Sequence, residues 1–227
     1  MTPTDGPVPS NKLALVVRGG WDGHHPVAAT DLFIPFLEHS GFEVLIRDST
    51  SAYADAALMA KVDLVVQCVT MSAIEWEEAN GLRNAVAAGT GLAGWHGGIA
   101  DSFRSSSEYL HLIGAQFACH PESSNPHRIE FTEAAAEHPI TRGIPDFELD
   151  TEQYWMLADD YLDVLATTTQ SVRQGDPWTR PVTSPAVWTR QWGKGRIFVT
   201  TPGHDPQVLQ HEHVNTLVKR GMLWAAR

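Results

Sequence analysis

Short apolar runs of strand length alternate with longer helix-like segments along almost the whole of this chain, and that rhythm restricts it to βαβ units around a mostly parallel sheet. Residues 12–17 form the first strand: a nearly uninterrupted apolar run of the kind expected where both faces are covered. Residues 27–39 follow as a helix, with Leu32, Phe33, Phe36 and Leu37 on one face and Gly41 as the stop. Strands are expected at 42–47, 62–69 and 91–95, with helices near 55–60 and over 72–88, the latter turning Ile74, Leu82 and Val86 inward. Later strands fall at 128–132, 162–168, 185–192 and 196–201. A closing helix over 211–226 packs Val214, Leu217, Val218, Met222 and Leu223 on the sheet. The fold class is α/β: a flavodoxin-like, three-layer arrangement.

At 227 residues and 43% hydrophobic content the chain can bury the core of one domain, read here as 12–227 behind a flexible N-terminal segment, 1–11. A net charge of -11 leaves no basic stripe to neutralise a run of phosphates, so nucleic acid is not an expected partner. No apolar stretch approaches the roughly 20 residues that cross a bilayer, and residues 1–11 lack the charged start and apolar run of a secretory signal. The expected setting is the cytoplasm, with no membrane partner; a homo-oligomer is compatible with the sequence. Cys68 and Cys119 are too few for a disulfide framework and lack zinc-type spacing, and packing is the expected role of both thiols.

Loops that leave the carboxyl ends of parallel strands converge on one sheet edge, where ligands bind. Three unusual segments fall at such ends. They are Gly20-Trp21-Asp22-Gly23-His24-His25-Pro26, Trp95-His96-Gly97-Gly98 and Pro202-Gly203-His204-Asp205-Pro206. Each joins a turn-forming glycine or proline to an imidazole, which ligates a metal when neutral or moves protons near neutral pH. The second occupies the place of a nucleophile elbow, yet it offers Trp95 and His96 where an acyl-transfer enzyme presents Cys or Ser. Glutaminase or esterase chemistry through a covalent intermediate is therefore disfavoured.

Gly20-Trp21-Asp22-Gly23-His24, Gly94-Trp95-His96-Gly97-Gly98-Ile99-Ala100-Asp101-Ser102-Phe103-Arg104 and Gly114-Ala115-Gln116-Phe117 with His120-Pro121 carry a resemblance to a known family. So do His138-Pro139-Ile140-Thr141, Asp150-Thr151-Glu152-Gln153-Tyr154 and Gly203-His204. Together they resemble the ThuA-like (trehalose utilisation) family, over about residues 13 to 225 and in the family's order. The resemblance implies a class I glutamine-amidotransferase-like fold without the amidotransferase cysteine, and a link to catabolism of trehalose or a related disaccharide, including keto-glycosides. It carries His24, His96, Glu152 and His204 onto the family's polar site, and Asp101 and Arg104 onto the segment after the elbow. His25 stands where relatives often carry an acidic residue, so either His24 or His25 faces the site.

Imidazoles plus a carboxylate suit zinc or another divalent metal ion, with His96, Glu152 and His204 as ligands and His24 as a fourth ligand or general base. His24 or Asp101 would then move the proton. Without a metal, Glu152 as base and an imidazole as acid would serve a lyase or isomerase acting beside a keto group. Trp21, Trp95 and Tyr154 lie in or beside the motifs and suit the apolar face of a sugar, and Arg104 either binds a ligand oxygen or ties down Asp101. No nucleotide cofactor is expected. A non-catalytic sugar-binding or regulatory protein is the competing reading.

Overall fold

The computed structural model describes residues 12–227, so the expectation for 1–11 lies outside the described residues. The strands are β1 (Lys12–Gly20), β2 (Phe42–Arg47), β3 (Leu64–Thr70), β4 (Gly91–Trp95), β5 (Ala115–Cys119), β6 (Asn125–Phe131), β7 (Phe147–Thr151), β8 (Trp155–Ala158), β9 (Asp163–Gln170), β10 (Val182–Trp192) and β11 (Gly195–Thr200). The α-helices are α1 (Pro26–Asp31), α2 (Ile34–His39), α3 (Ala56–Met59), α4 (Trp76–Ala88), α5 (Gly97–Ala100), α6 (Ser107–Ile113), α7 (Pro206–Gln210) and α8 (Glu212–Ala225). Among the described residues none is long and apolar enough to cross a membrane.

Nine strands form one sheet in the order β2-β1-β3-β4-β11-β10-β9-β6-β7, and β5 pairs with β8 separately. The run from β2 to β11 is parallel throughout, as the βαβ rhythm requires, and an antiparallel wing of β10, β9, β6 and β7 continues it. Side chains alternate across a strand. Ala14, Val16, Leu64 and Val66 therefore enter the core under α8, while Leu15, Val17 and Val65 enter the core on the other face with Leu82 and Val86 of α4. That double coverage is why β1 and β3 read as continuous apolar runs. The chain leaves β1 toward β2 on one side and returns to β3 on the other, so the crevice at the carboxyl ends of β1 and β3 is a topological switch point.

Several expected boundaries shift for identifiable reasons. The helix over 27–39 breaks into α1 and α2, because Pro35 in the first turn of α2 has no N–H to continue the ladder. Residues 72–75 stay outside α4, which Glu75 and Glu78 start with a reciprocal capping box. Leu223 points outward at 44% exposure, whereas the other four apolar residues named for the last helix are buried. Cys119 is exposed at the end of β5, contrary to the packing expected of it; Cys68 is buried, and burial pushes its thiol up to about 12.

Candidate functional site

The turn after β4 brings His96 to the sheet edge with φ 50 and ψ -143, a backbone region that side-chain-bearing residues rarely occupy. It is held there by its amide, which donates to the Thr200 carbonyl (2.7 Å), and by Ala100, whose N–H returns to the His96 carbonyl (2.8 Å). Gly97 keeps the next position clear, since a Cβ there would lie 2.5 Å from Cε1 of His24.

His24 closes a short 3-10 turn after β1 and is buried, with its Nδ1 3.0 Å from the Thr70 hydroxyl across the switch point. His25 adopts the left-handed conformation at φ 48 and is exposed, so it is His24 that faces the site. His204 lies in the loop between β11 and α7. Glu152 comes from the far wing, directly after β7.

These four side chains meet. Their ring or carboxylate donor atoms all lie within 4.8 Å of one another, and the imidazole centroids are separated by 4.6 Å (24 to 96), 5.2 Å (24 to 204) and 5.3 Å (96 to 204). His96 Nδ1 is 2.7 Å from the Thr201 carbonyl, and because a carbonyl only accepts, that nitrogen carries the proton. Its Nε2 then presents a lone pair, which accepts from the Tyr154 hydroxyl at 2.7 Å. The same Nε2 sits 3.1 Å from Glu152 Oε2. A lone pair facing a carboxylate oxygen is repulsive unless a proton or a cation lies between them. His204 Nδ1 is 3.4 Å from the same oxygen and is buried without a hydrogen bond.

The electrostatics favour neutral imidazoles around an anion. Burial, with the neighbouring His96 and His204, pulls His24 down to about 3. Burial also lowers His96, against the pull of Glu152. His204 is the exception: contact with Glu152 raises it above the ordinary value. Burial pushes the Glu152 carboxyl up, but His204 and His96 more than offset this and leave it well below the usual carboxylate range. Burial and the Glu152 charge raise the Tyr154 phenol, so it remains a donor.

The other sequence candidates divide. Trp21 is 48% exposed with its ring 4.9 Å from that of His24, and forms part of the rim. Trp95 does not face the site; it is buried in the core against Phe33, so a sugar-stacking role for it is corrected. Tyr154 is buried and turned to His96, which makes it a partner of the imidazole and removes its ring from the exposed surface. Asp101 stands outside the cluster with both oxygens taken by Arg104 (2.5 and 2.7 Å), which gives Arg104 the second of its two expected roles, tying down Asp101, and leaves Asp101 paired where a proton carrier was expected. His120, quoted with the family motif, was given no place in the site. Its Nε2 lies 3.5 Å from Glu152 Oε1 and its Nδ1 donates to the Glu122 carbonyl (3.0 Å); the available signal was its place in a loop with Pro121 just after an apolar run.

Beside His204 opens a cleft of ≈ 410 Å³ whose walls include Ser124, Asp150, Asp205, Gln207 and His211, with no Lys or Arg among its lining.

Solved structures share this architecture. A ThuA-like protein of Bacteroides uniformis superposes with a TM-score of 0.77 at 18% identity, covering 99% of this chain and 95% of that one. A ThuA-like protein of Parabacteroides merdae gives 0.74 at 17% identity over 95% and 90% of the two chains. A protein of Salmonella typhimurium described as cytoplasmic gives 0.65 at 15% identity over 95% and 100%. At these identities the likeness is one of fold. No curated protein matches the sequence. The family profile described as trehalose utilisation matches residues 13–225, nearly the whole described chain with the imidazole loops and Glu152 inside it, and the protein belongs to the ThuA family.

Proposed function

We propose that this chain is a cytoplasmic, single-domain enzyme of carbohydrate catabolism, acting on trehalose or a related disaccharide, or its keto derivative, as a hydrolase, lyase or isomerase. His24, His96, His204 and Glu152 hold a divalent ion such as zinc. The observation that carries this reading is the convergence of four donor atoms, one of them a buried His204 nitrogen with no hydrogen bond. Three imidazoles with one carboxylate are a donor set suited to zinc. Such an ion supplies polarisation of a sugar carbonyl, or a water acidified toward neutral pH.

The chain's own groups have separable tasks. Thr70 and the Thr201 carbonyl fix the two inner rings, as partners of the outer ring nitrogen do at metal sites generally. The Tyr154 hydroxyl occupies the Nε2 lone pair of His96 and would have to release it for an ion to bind there. His120, on the more open side of Glu152 with its Nε2 3.5 Å from that carboxylate, is placed to take or return a proton. Trp21 at the rim offers an aromatic face, and the cleft beside His204, which has no Lys or Arg in its lining, suits an uncharged sugar better than a sugar phosphate. The elbow carries an imidazole and Cys68 is a buried, high-pKa thiol, which supports a reading other than a glutaminase.

Purified protein would be incubated with trehalose and with its oxidised keto form, before and after chelation and readdition of zinc or manganese. We expect turnover that chelation removes and metal restores, and that falls at least about 100-fold in His96→Ala and Glu152→Ala. Turnover surviving both substitutions would sink the assignment. Saturable sugar binding with no turnover would favour a binding or regulatory protein.

A further inference from the structure

The two outermost strands of the nine-stranded sheet differ in how their open edges are guarded. At one end β2 pairs, among the described residues, with β1 alone, in a parallel register that carries no bulge. An open edge presents unpaired N–H and C=O groups, and folds ordinarily protect it with proline, a bulge or charges in mid-strand. β2 has none of these. Val44, Leu45 and Ile46 fill its middle and are half-buried, while its two charges, Glu43 and Arg47, stand exposed toward its ends. Neither charge has an ionic partner among the described residues; Arg47 Nη1 donates to the neighbouring Ile46 carbonyl (2.8 Å).

The spacing of these charges is self-complementary. Side chains alternate across a strand, so Glu43, Leu45 and Arg47 share one face and Val44 and Ile46 the other. A second copy laid antiparallel along this edge, with a two-fold axis at Leu45, sets Glu43 opposite Arg47 of the partner subunit and Val44 opposite Ile46 of the partner subunit. Opposite charges and branched apolar side chains are the cross-strand pairs that stabilise an antiparallel ladder. Moving the axis to Val44 instead places Glu43 against a leucine and Arg47 against Gly41, outside the strand, so the register at Leu45 is the one that matches both charges. The outermost strand at the other end, β7, behaves differently. Exposed Glu148 and Asp150 flank Leu149, and the same operation there opposes one carboxylate to another. In a chain of net charge -11, association needs a local match of charge, and of these two edges β2 supplies it.

We infer that the open edge of β2 is a homodimer interface, in which two copies of this chain pair antiparallel through Phe42–Arg47 about a two-fold axis at Leu45 and join their sheets into one. The contact is isologous, as a two-fold requires, each copy offering the same strand to the other. The four side chains of the imidazole cluster come from a single chain, so the site is complete without the second copy. Assembly requires neither an ion nor turnover, and the dimer and the proposed reaction stand or fall separately.

The test is sedimentation equilibrium of the full chain, with chelator present so that metal ions do not bridge surface imidazoles, at about 0.15 M salt. A monomer–dimer equilibrium is expected between micromolar and near-millimolar concentration. Glu43→Arg and Arg47→Glu each oppose like charges at both symmetry-related pairs, and each should weaken the dimer at least about tenfold. The double variant Glu43→Arg with Arg47→Glu restores opposite charges in reverse and should recover the dimer to within about threefold of the parent chain. Both positions are exposed in the single chain, so the fold tolerates these changes. Amides of β2 should exchange with deuterated solvent more slowly as concentration rises in the parent and the double variant, and not in the single variants. A chain that stays monomeric throughout this range would overturn the proposal. So would a dimer indifferent to either single substitution, or one that the double variant fails to restore.

Discussion

His96 meets three demands at once: an unusual backbone conformation, an Nδ1 committed to the Thr201 carbonyl, and an Nε2 shared between Tyr154 and Glu152. Its neighbour His24 meets one that is easier to measure. Its folded value of about 3 lies below the ordinary 6.5, so between those pH values the unfolded chain binds a proton that the folded chain refuses. Stability conferred by neutral His24 is therefore present above pH 6.5 and is lost as pH falls through that window. Glu152, lowered by its imidazole partners, acts in the same direction at lower pH. His204, raised by Glu152, acts oppositely, its contribution fading as pH rises through its folded value. In urea titrations of chelated protein at pH 7 and 4.5, His24→Gln should lose less stability on acidification than the parent chain. Equal losses would show that His24 is not kept neutral by the fold.

Among the elements, the four-residue helix α5 matters through what it leaves out. A methyl at Gly97 would collide with the His24 ring at 2.5 Å, and both the elbow behind it and the sheet beneath it are fixed, so the imidazole must give way. Gly97→Ala is expected to reduce zinc affinity at least about tenfold and to cost about 1–3 kcal/mol of stability, as measured by calorimetric titration and urea melts. Zinc binding equal to that of the parent would separate His24 from the ligand set. At this scale the sequence was partly transparent. The covered strands β1 and β3 announced themselves as apolar runs, β4 as a short strand after the glycines that stop α4, and the imidazole loops as glycine or proline beside histidine at strand ends. Strands β5, β7 and β8 passed unnoticed, being four or five residues long. In β7 the residues Phe147, Leu149 and Thr151 turn inward between exposed Glu148 and Asp150, an alternation that was there to be found. Glu152 entered the site through family resemblance, because nothing in local pattern shows that a residue after an edge strand will reach back to the parallel half. Trp95 misled for a related reason. Its side chain lies on the core side of β4, so its neighbour on the turn, His96, is the one presented at the edge.

For the whole molecule, the decisive fact is where the four donors come from. The imidazoles stand at the ends of β1, β4 and β11 in the parallel half, whereas the carboxylate follows β7, the last strand of the antiparallel wing. Glu152 is thus one of the points at which two distant regions of one sheet meet, beside the Tyr154 contact with His96 and the Phe147 ring against His211 and His213. A cation shared by all four would work as a rivet between them. Amides of β6 and β7 should then exchange with deuterated solvent more slowly in zinc-loaded protein than in chelated protein, while those of β1 and β3 change little. Uniform slowing, or none, would mean that the wing is anchored without help from the ligands. If the rivet holds, what the protein gains on loading is mechanical as well as chemical: the margin of the sheet becomes as firmly seated as its centre.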